Sequence, residues 1–150
     1  MTTVLDGDLV ASQVDKLIPG IVEEWGACDV WVKAEGILDV CRFLKEDPAL
    51  CCDYLVSISA VDYVEYFELV YHILSIKKNH IVVLKAKCWG REDLTVPSVT
   101  SLWQGADFQE REIYDLMGID FGGHPNMKRL LLWEGFPGHP QRKDWLESPR

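Results

Sequence analysis

The stretch from Tyr54 to Cys88 most limits what this chain can become. Tyr54 to Val61 alternates apolar and polar side chains, and Tyr66 to Ile76 is long and rich in aromatic and β-branched residues. Ile81 to Cys88 sets Leu84, Ala86 and Cys88 on one face and Lys85 and Lys87 on the other. A period of two marks a half-buried strand, because successive side chains leave a strand on opposite faces. The connections, residues 62–65 and 77–80, are short enough for hairpins. Three strands joined in this way have one apolar face that something else must cover.

The flanking segments supply the cover. Leu9, Val10, Val14, Leu17, Ile18, Ile21, Val22 and Trp25 recur at three- and four-residue spacing, which predicts an amphipathic helix from Asp6 to Trp25. Pro19 is expected to kink or split it, and Gly26 to end it. Cys28 to Val32 reads as a short strand. Ile37, Leu38, Cys41, Phe43 and Leu44 predict a helix over 35–44, stopped by Asp47-Pro48. Phe108 to Met117 predicts a charged helix ending at Gly118, with Asp107 and Glu110 at the spacing of a capping box. The order α-β-α-β-β-β-α predicts an α+β two-layer sandwich, with helices on one face of a mainly antiparallel or mixed sheet. Residues 1–117 form its core domain, charged helix 108–117 included, and 118–150 an extended C-terminal docking tail of the same domain. That tail holds five of the 11 glycines and four of the seven prolines, and Met127 to Trp133 is its one candidate strand.

Composition excludes several functions. A chain of 150 residues is the size of one domain. A net charge of −9 disfavours nucleic acid or anionic lipid as a partner for the whole surface. Residues 1–109 carry 17 acidic and 9 basic side chains against 7 and 6 in 110–150, so the tail is basic relative to the body and suits an acidic neighbour. No run reaches the ~20 apolar residues of a membrane span, and the N-terminus lacks the pattern of a secretory signal. The expected location is therefore the cytoplasm or its membrane-facing side. Cys28, Cys41, Cys51, Cys52 and Cys88 contain no CxxC pair and read as buried free thiols in a reducing compartment.

The stretch from Glu110 to Trp145 holds the residues with chemical potential. Glu110 falls on the apolar side of its helix, where it either completes the capping box or pairs with a cation from the tail or a partner. Arg111 and Asp115 are spaced as an i,i+4 surface pair. His124 and His139 each sit in Gly-His-Pro, which fixes them in turns. Nothing supplies third and fourth zinc ligands at suggestive spacing, so a structural or interface role is the better reading for both. His72 is expected to be a packed, hydrogen-bonded strand residue. Lys128-Arg129 and Arg142-Lys143 lack the Gly-rich loop that would cradle a nucleotide. Trp133, Phe136 and Trp145, interleaved with basic residues, fit an interface core or internal packing equally. No nucleophile stands beside a base.

EREIYDLMGIDFGGHPNMKRLL resembles the signature of the thirty-kilodalton subunit family (the C subunit) of proton-pumping NADH:quinone oxidoreductase, respiratory complex I. The matching positions are Glu110, Arg111, Glu112, Asp115, Leu116, Met117, His124, Lys128, Leu130 and Leu131. GHPQRKDW is similar to the family's GHPLRKDY, departing at Gln141 and Trp145. The resemblance implies a non-catalytic subunit of the hydrophilic arm that supports assembly beside the quinone-pocket subunit. It implies no flavin, iron–sulfur cluster or quinone in this chain, those cofactors lying on other subunits. It also implies a peripheral place on the cytoplasmic side of the cell membrane, reached through the complex. Energy-converting hydrogenases, formate hydrogenlyase and coenzyme-dependent dehydrogenase complexes have equivalent subunits and form the alternative; a stand-alone metal-binding enzyme is a third reading. The interface candidates are Glu110, Arg111, Glu112, Asp115, His124, Lys128, Arg129, Trp133, His139, Arg142, Lys143 and Asp144.

Overall fold

The computed structural model describes residues 1–145, so the end of the expected tail, 146–150, lies outside the described residues. Its elements are β1 Thr3–Val4, α1 Gly7–Leu17, β2 Val22–Trp25, β3 Asp29–Val32, α2 Ile37–Glu46, β4 Tyr54–Asp62, β5 Tyr66–Ser75, β6 His80–Trp89, β7 Thr95–Pro97, α3 Ala106–Met117 and β8 Asp120–Gly122. The main sheet runs β2-β3-β6-β5-β4, with β1 added beside β6. The three expected strands form the antiparallel meander β4-β5-β6, from Asp62↔Phe67 to Tyr66↔Trp89 in register. β3 and β1 both join β6 in parallel, so the sheet is mixed.

One face of this sheet is the core. The cross-strand pairs Phe67↔Cys88, Leu69↔Ala86, Tyr71↔Leu84 and Ile73↔Val82 are all buried. Val10 and Val14 of α1, Ile37, Val40, Cys41 and Leu44 of α2, and Ala106 and Ile113 of α3 are buried with them. The opposite face is clothed by its own residues. Trp31 Nε1 donates to Glu68 at 2.6 Å, Lys85 pairs with Asp29 and lies over the Trp31 ring, and Lys87 pairs with Glu24 and lies over Tyr66. His72 sits on this face with its Nδ1 3.3 Å from Ser57 Oγ.

Three expectations are corrected. The helix predicted to Trp25 stops at Leu17, and residues 22–25 are a strand paired antiparallel with β3. Pro19 has no amide to continue the helix and Gly20 takes a left-handed φ of 83°, which turns the chain back. Second, Met127 to Trp133 makes no strand. The strand of that region is β8, paired in parallel with β7 as a separate two-stranded sheet. Third, the thiols are not uniformly buried: Cys41, Cys52 and Cys88 are, and burial pushes the Cys88 thiol up to about 12, but Cys28 is exposed and Cys51 only half-buried.

Gly7 opens α1 hard against the β2–β3 turn, its N–H bonded to Ala27 O at 3.0 Å. A Cβ there would run into the carbonyl oxygens of Gly26 and Asp29, which are backbone and cannot swing away. Gly7→Ala is expected to destabilise the chain by about 1–3 kcal/mol through overpacking. Gly105→Ala, where a Cβ meets nothing within 4 Å, is the control and should leave the urea midpoint unchanged or slightly raised.

Candidate functional site

α3 presents the charged motif, and the chain beyond β8 folds back along it. Residues 123–145 form no helix or strand of their own, so their backbone groups need partners elsewhere. Asp115, wholly buried, is the first of these. Its Oδ2 accepts the N–H groups of Leu130, Leu131 and Leu132 at 3.2, 2.7 and 2.9 Å, while its Oδ1 accepts Arg129 Nη1 at 2.8 Å. Arg129 also donates to Asp115 O and, through Nη2, to Phe136 O. Burial alone would raise the Asp115 carboxyl; Arg129 and the three amides outweigh it and hold the group below the usual carboxylate range.

The C-terminus of α3 is finished by the tail. Gly118 adopts φ 79° and its N–H bonds Tyr114 O. His139 Nδ1 lies 2.9 Å from Asp115 O, and Gln141 N donates to Leu116 O at 3.0 Å, so tail groups take carbonyls the helix leaves open. The His139 ring packs edge-on to Tyr114, and a Cβ on Gly118 would strike it.

Further along, Asp62 at the end of β4 is held by both guanidinium nitrogens of Arg91, at 2.5 and 2.8 Å, and by the Lys143 N–H at 2.8 Å. Arg91 beside it keeps the Asp62 carboxyl well below the usual range. Arg142 donates to Arg91 O and to Asp144, which also meets Arg91. Arg142 and Arg91 together lower the Asp144 carboxyl. Both guanidinium groups lie over the Phe67 ring, at 4.5 Å for Arg91 and 5.3 Å for Arg142. Neither Asp62 nor Arg91 had a sequence signal, since the residues they meet lie up to 81 positions away.

The remaining candidates divide between interior and surface. Glu110 is fully buried and makes no capping box. Its Oε1 accepts the Val99 N–H at 2.9 Å and its Oε2 accepts Ser98 Oγ at 2.7 Å, while α3 begins after Gly105 without a side-chain cap. Burial raises its carboxyl, an effect these two bonds oppose. Nor do Arg111 and Asp115 form the expected surface pair. Both are buried, and Arg111 donates to the carbonyls of Lys128 and Arg129 at 3.1 and 3.0 Å. The His124 side chain is buried, with Nε2 3.0 Å from Asp107 Oδ1 and Nδ1 accepting the Asn126 N–H, which puts its proton on Nε2. Glu112, Lys128 and Lys143 are exposed, as are Leu131 and Trp133 at 62% and 64%. Trp133 meets Phe136 edge-on and Phe136 stacks on Trp145, both at 5.7 Å. Among the described residues no group of three or more His, Cys, Asp or Glu side chains is placed to hold a metal ion.

The charges of this network set its response to substitution and to pH. Asp115→Asn leaves Arg129 facing an amide N–H₂ and is expected to cost about 3 kcal/mol, as loss of one partner of a buried ion pair does. Glu110→Gln, whose amide satisfies the same two neighbours, should cost less than about 1 kcal/mol at neutral pH. Urea midpoints of the two variants check the contrast. The depressed carboxyls of Asp62, Asp115 and Asp144 contribute stability that is present above about pH 4 and lost as pH falls through their folded values. Glu110, being raised, has the opposite sign and loses stability as pH rises through its folded value. A net fall in the urea midpoint below about pH 4, shallower in Asp115→Asn, is the expected profile.

The family described as "Respiratory-chain NADH dehydrogenase, 30 Kd subunit" matches residues 30–149. The C subunit of the NADH-quinone oxidoreductase of Roseiflexus castenholzii is 42% identical over 147 residues, covering 93% of this chain and 84% of its own. A NADH-quinone oxidoreductase C subunit of Rhizobium meliloti, the second of that kind by its name, is 45% identical over 133 residues, covering 84% and 72%. A chain in the structure of the membrane-bound sulfane sulfur reductase, an archaeal respiratory membrane complex, shares the fold with a TM-score of 0.72 at 24% identity, over 92% of this chain and 84% of that one.

Proposed function

The chain belongs to the 30 Kd subunit family of respiratory-chain NADH dehydrogenase, and we propose that it serves as a hydrophilic-arm subunit of an NADH:quinone oxidoreductase. In this reading it supports assembly beside the subunit that forms the quinone pocket and leaves the redox chemistry to its neighbours. Flavin, iron–sulfur clusters and quinone belong to those other subunits, and the chain is held peripherally on the cytoplasmic side of the membrane through them. Among the described residues no helix is long and apolar enough to cross a membrane. Relatives named for NADH-quinone oxidoreductase, at 42% and 45% identity, favour this complex over the hydrogenase-type assemblies.

The observation that carries the assembly role is the rigid presentation of Leu131 and Trp133. Asp115 holds the amides of Leu131 and Leu132, and Trp133 O accepts the N–H of Phe136, whose carbonyl Arg129 holds, yet the Leu131 and Trp133 side chains both stand in solvent. A protein does not ordinarily invest a buried ion pair in holding large apolar groups out of its core; a pre-ordered apolar projection suits burial against a partner, because its ordering cost is already met.

Affinity purification of the tagged chain from native membranes tests the proposal. Co-purification of the other subunits, with flavin-dependent NADH oxidation, is expected; recovery of the chain alone would overturn it. The isolated chain should be colourless and without NADH-oxidising activity, and a stoichiometric flavin or cluster absorbance would contradict the assignment of cofactors to its neighbours. Trp133→Ala should lower incorporation into the complex while leaving the unfolding free energy of the free chain, from urea titration, within about 0.5 kcal/mol of wild type.

A further inference from the structure

Arg111 is the buried cation that the internal network does not neutralise. It is 8% exposed, and its Nε and Nη2 donate to two carbonyl oxygens, those of Lys128 and Arg129. Carbonyls orient a guanidinium but do not cancel its charge. Among the described residues no carboxylate lies within ion-pair distance of Arg111, and Nη1 has no acceptor. Asp115, one turn further along α3, is committed to Arg129. A guanidinium mostly withdrawn from water without a counter-charge is costly, and a carboxylate arriving from outside at the solvent-reached Nη1 relieves that cost.

The surroundings say what would bring the carboxylate. Phe108, one turn before Arg111, is 62% exposed, and the guanidinium lies 5.5 Å from its ring. The same ring walls a groove of about 650 Å³ whose other sides include Thr100, Gln104, Gly123 and Pro125. Lys128, whose carbonyl holds Arg111, is exposed and has no ion pair among the described residues. Asp107 also borders the groove, with its carboxylate turned to His124. The exposed Phe108 ring thus stands between a groove of mixed lining and the Arg111 guanidinium, with exposed Lys128 supplying one of the carbonyls that hold Arg111, on a chain whose net charge is −9.

We propose that the surface formed by Phe108, Arg111 and Lys128 docks an acidic segment of a neighbouring protein subunit. An apolar side chain of that segment seats against Phe108, and its Asp or Glu carboxylate meets Arg111 Nη1 and Lys128 Nζ. This rests on the assembly role proposed above and adds the place and chemistry of one contact. Charge complementarity selects the occupant: the local cations call for an anion, the exposed Phe108 ring calls for an apolar group beside it, and the acidity of the whole chain opposes approach to an anionic membrane.

Zero-length carbodiimide coupling of the native complex joins an amine only to a carboxylate in contact with it. Peptide mapping should find Lys128 joined to an Asp or Glu of another subunit. Phe108→Ala and Lys128→Glu leave the hydrogen bonds around Arg111 in place, so the free variants should keep the wild-type urea midpoint. Their incorporation into the complex should fall about tenfold each, the effect of losing one central contact. Wild-type incorporation by both variants, or coupling of Lys128 only within its own chain, would overturn the surface while leaving the assembly role standing. Lys128-dependent sedimentation of the free chain with phosphatidylglycerol vesicles would also overturn it, by making lipid phosphate the anion. Failure of the wild-type chain to recover any partner overturns the assembly role and this contact with it.

Discussion

Four donors converge on the carboxylate of Asp115, and the order of the last part of the described chain depends on them. Three are consecutive backbone amides and the fourth is the Arg129 guanidinium. Bringing a carboxylate out of water is unfavourable, and an incomplete set of donors would leave it a liability. With the set complete, one side chain supplies the acceptor that residues 130–132 would otherwise have found in a strand partner. Arg129 carries the same order on to Phe136, and the aromatic stack carries it on to Trp145. The segment thus has a defined conformation without secondary structure, borrowed from the helix on which it lies.

The meander was legible because its information is local: alternation along 54–61 and 81–88 places each side chain by face, and short connections leave little choice of pairing. The helix face of residues 9–18 was equally clear, but the same periodic count ran through Pro19-Gly20 into a strand. There, pairing with β3 outweighed the weak helical register of VEEW. β7 and β8 are three residues each and pair across 25 positions, too short to show a period. The charged helix misled in a more instructive way. Spacing rules compare a residue with its neighbours on the same helix, so Arg111 was matched to Asp115 and Glu110 to a cap. In the folded chain both carboxylates find donors from elsewhere, the 98–99 turn and residues 129–132.

The family signature accordingly mixes two kinds of residue. Glu110, Asp115 and His124 face inward, where their hydrogen bonds are intramolecular. Glu112, Lys128 and Leu131 stand on the outside of the same scaffold. In this chain the hidden half holds the displayed half in place. The basic pairs divide similarly: Arg129 and Arg142 brace the fold, and their neighbours Lys128 and Lys143 extend from it.

The bond from the Lys143 amide to Asp62 closes a loop of 81 residues, and its acceptor is ready only when β4 has met β5 and Arg91 has reached the hairpin end. Asp115 likewise offers its carboxylate in the required direction only once α3 is packed. The return segment therefore draws its main acceptors from elements that lie far from it in sequence. Without those two carboxylates in place, nothing holds the outward-facing groups in their folded positions. The positions of Lys128, Leu131 and Trp133 on the surface thus depend on contacts made at the far end of the sheet as well as on the helix beside them.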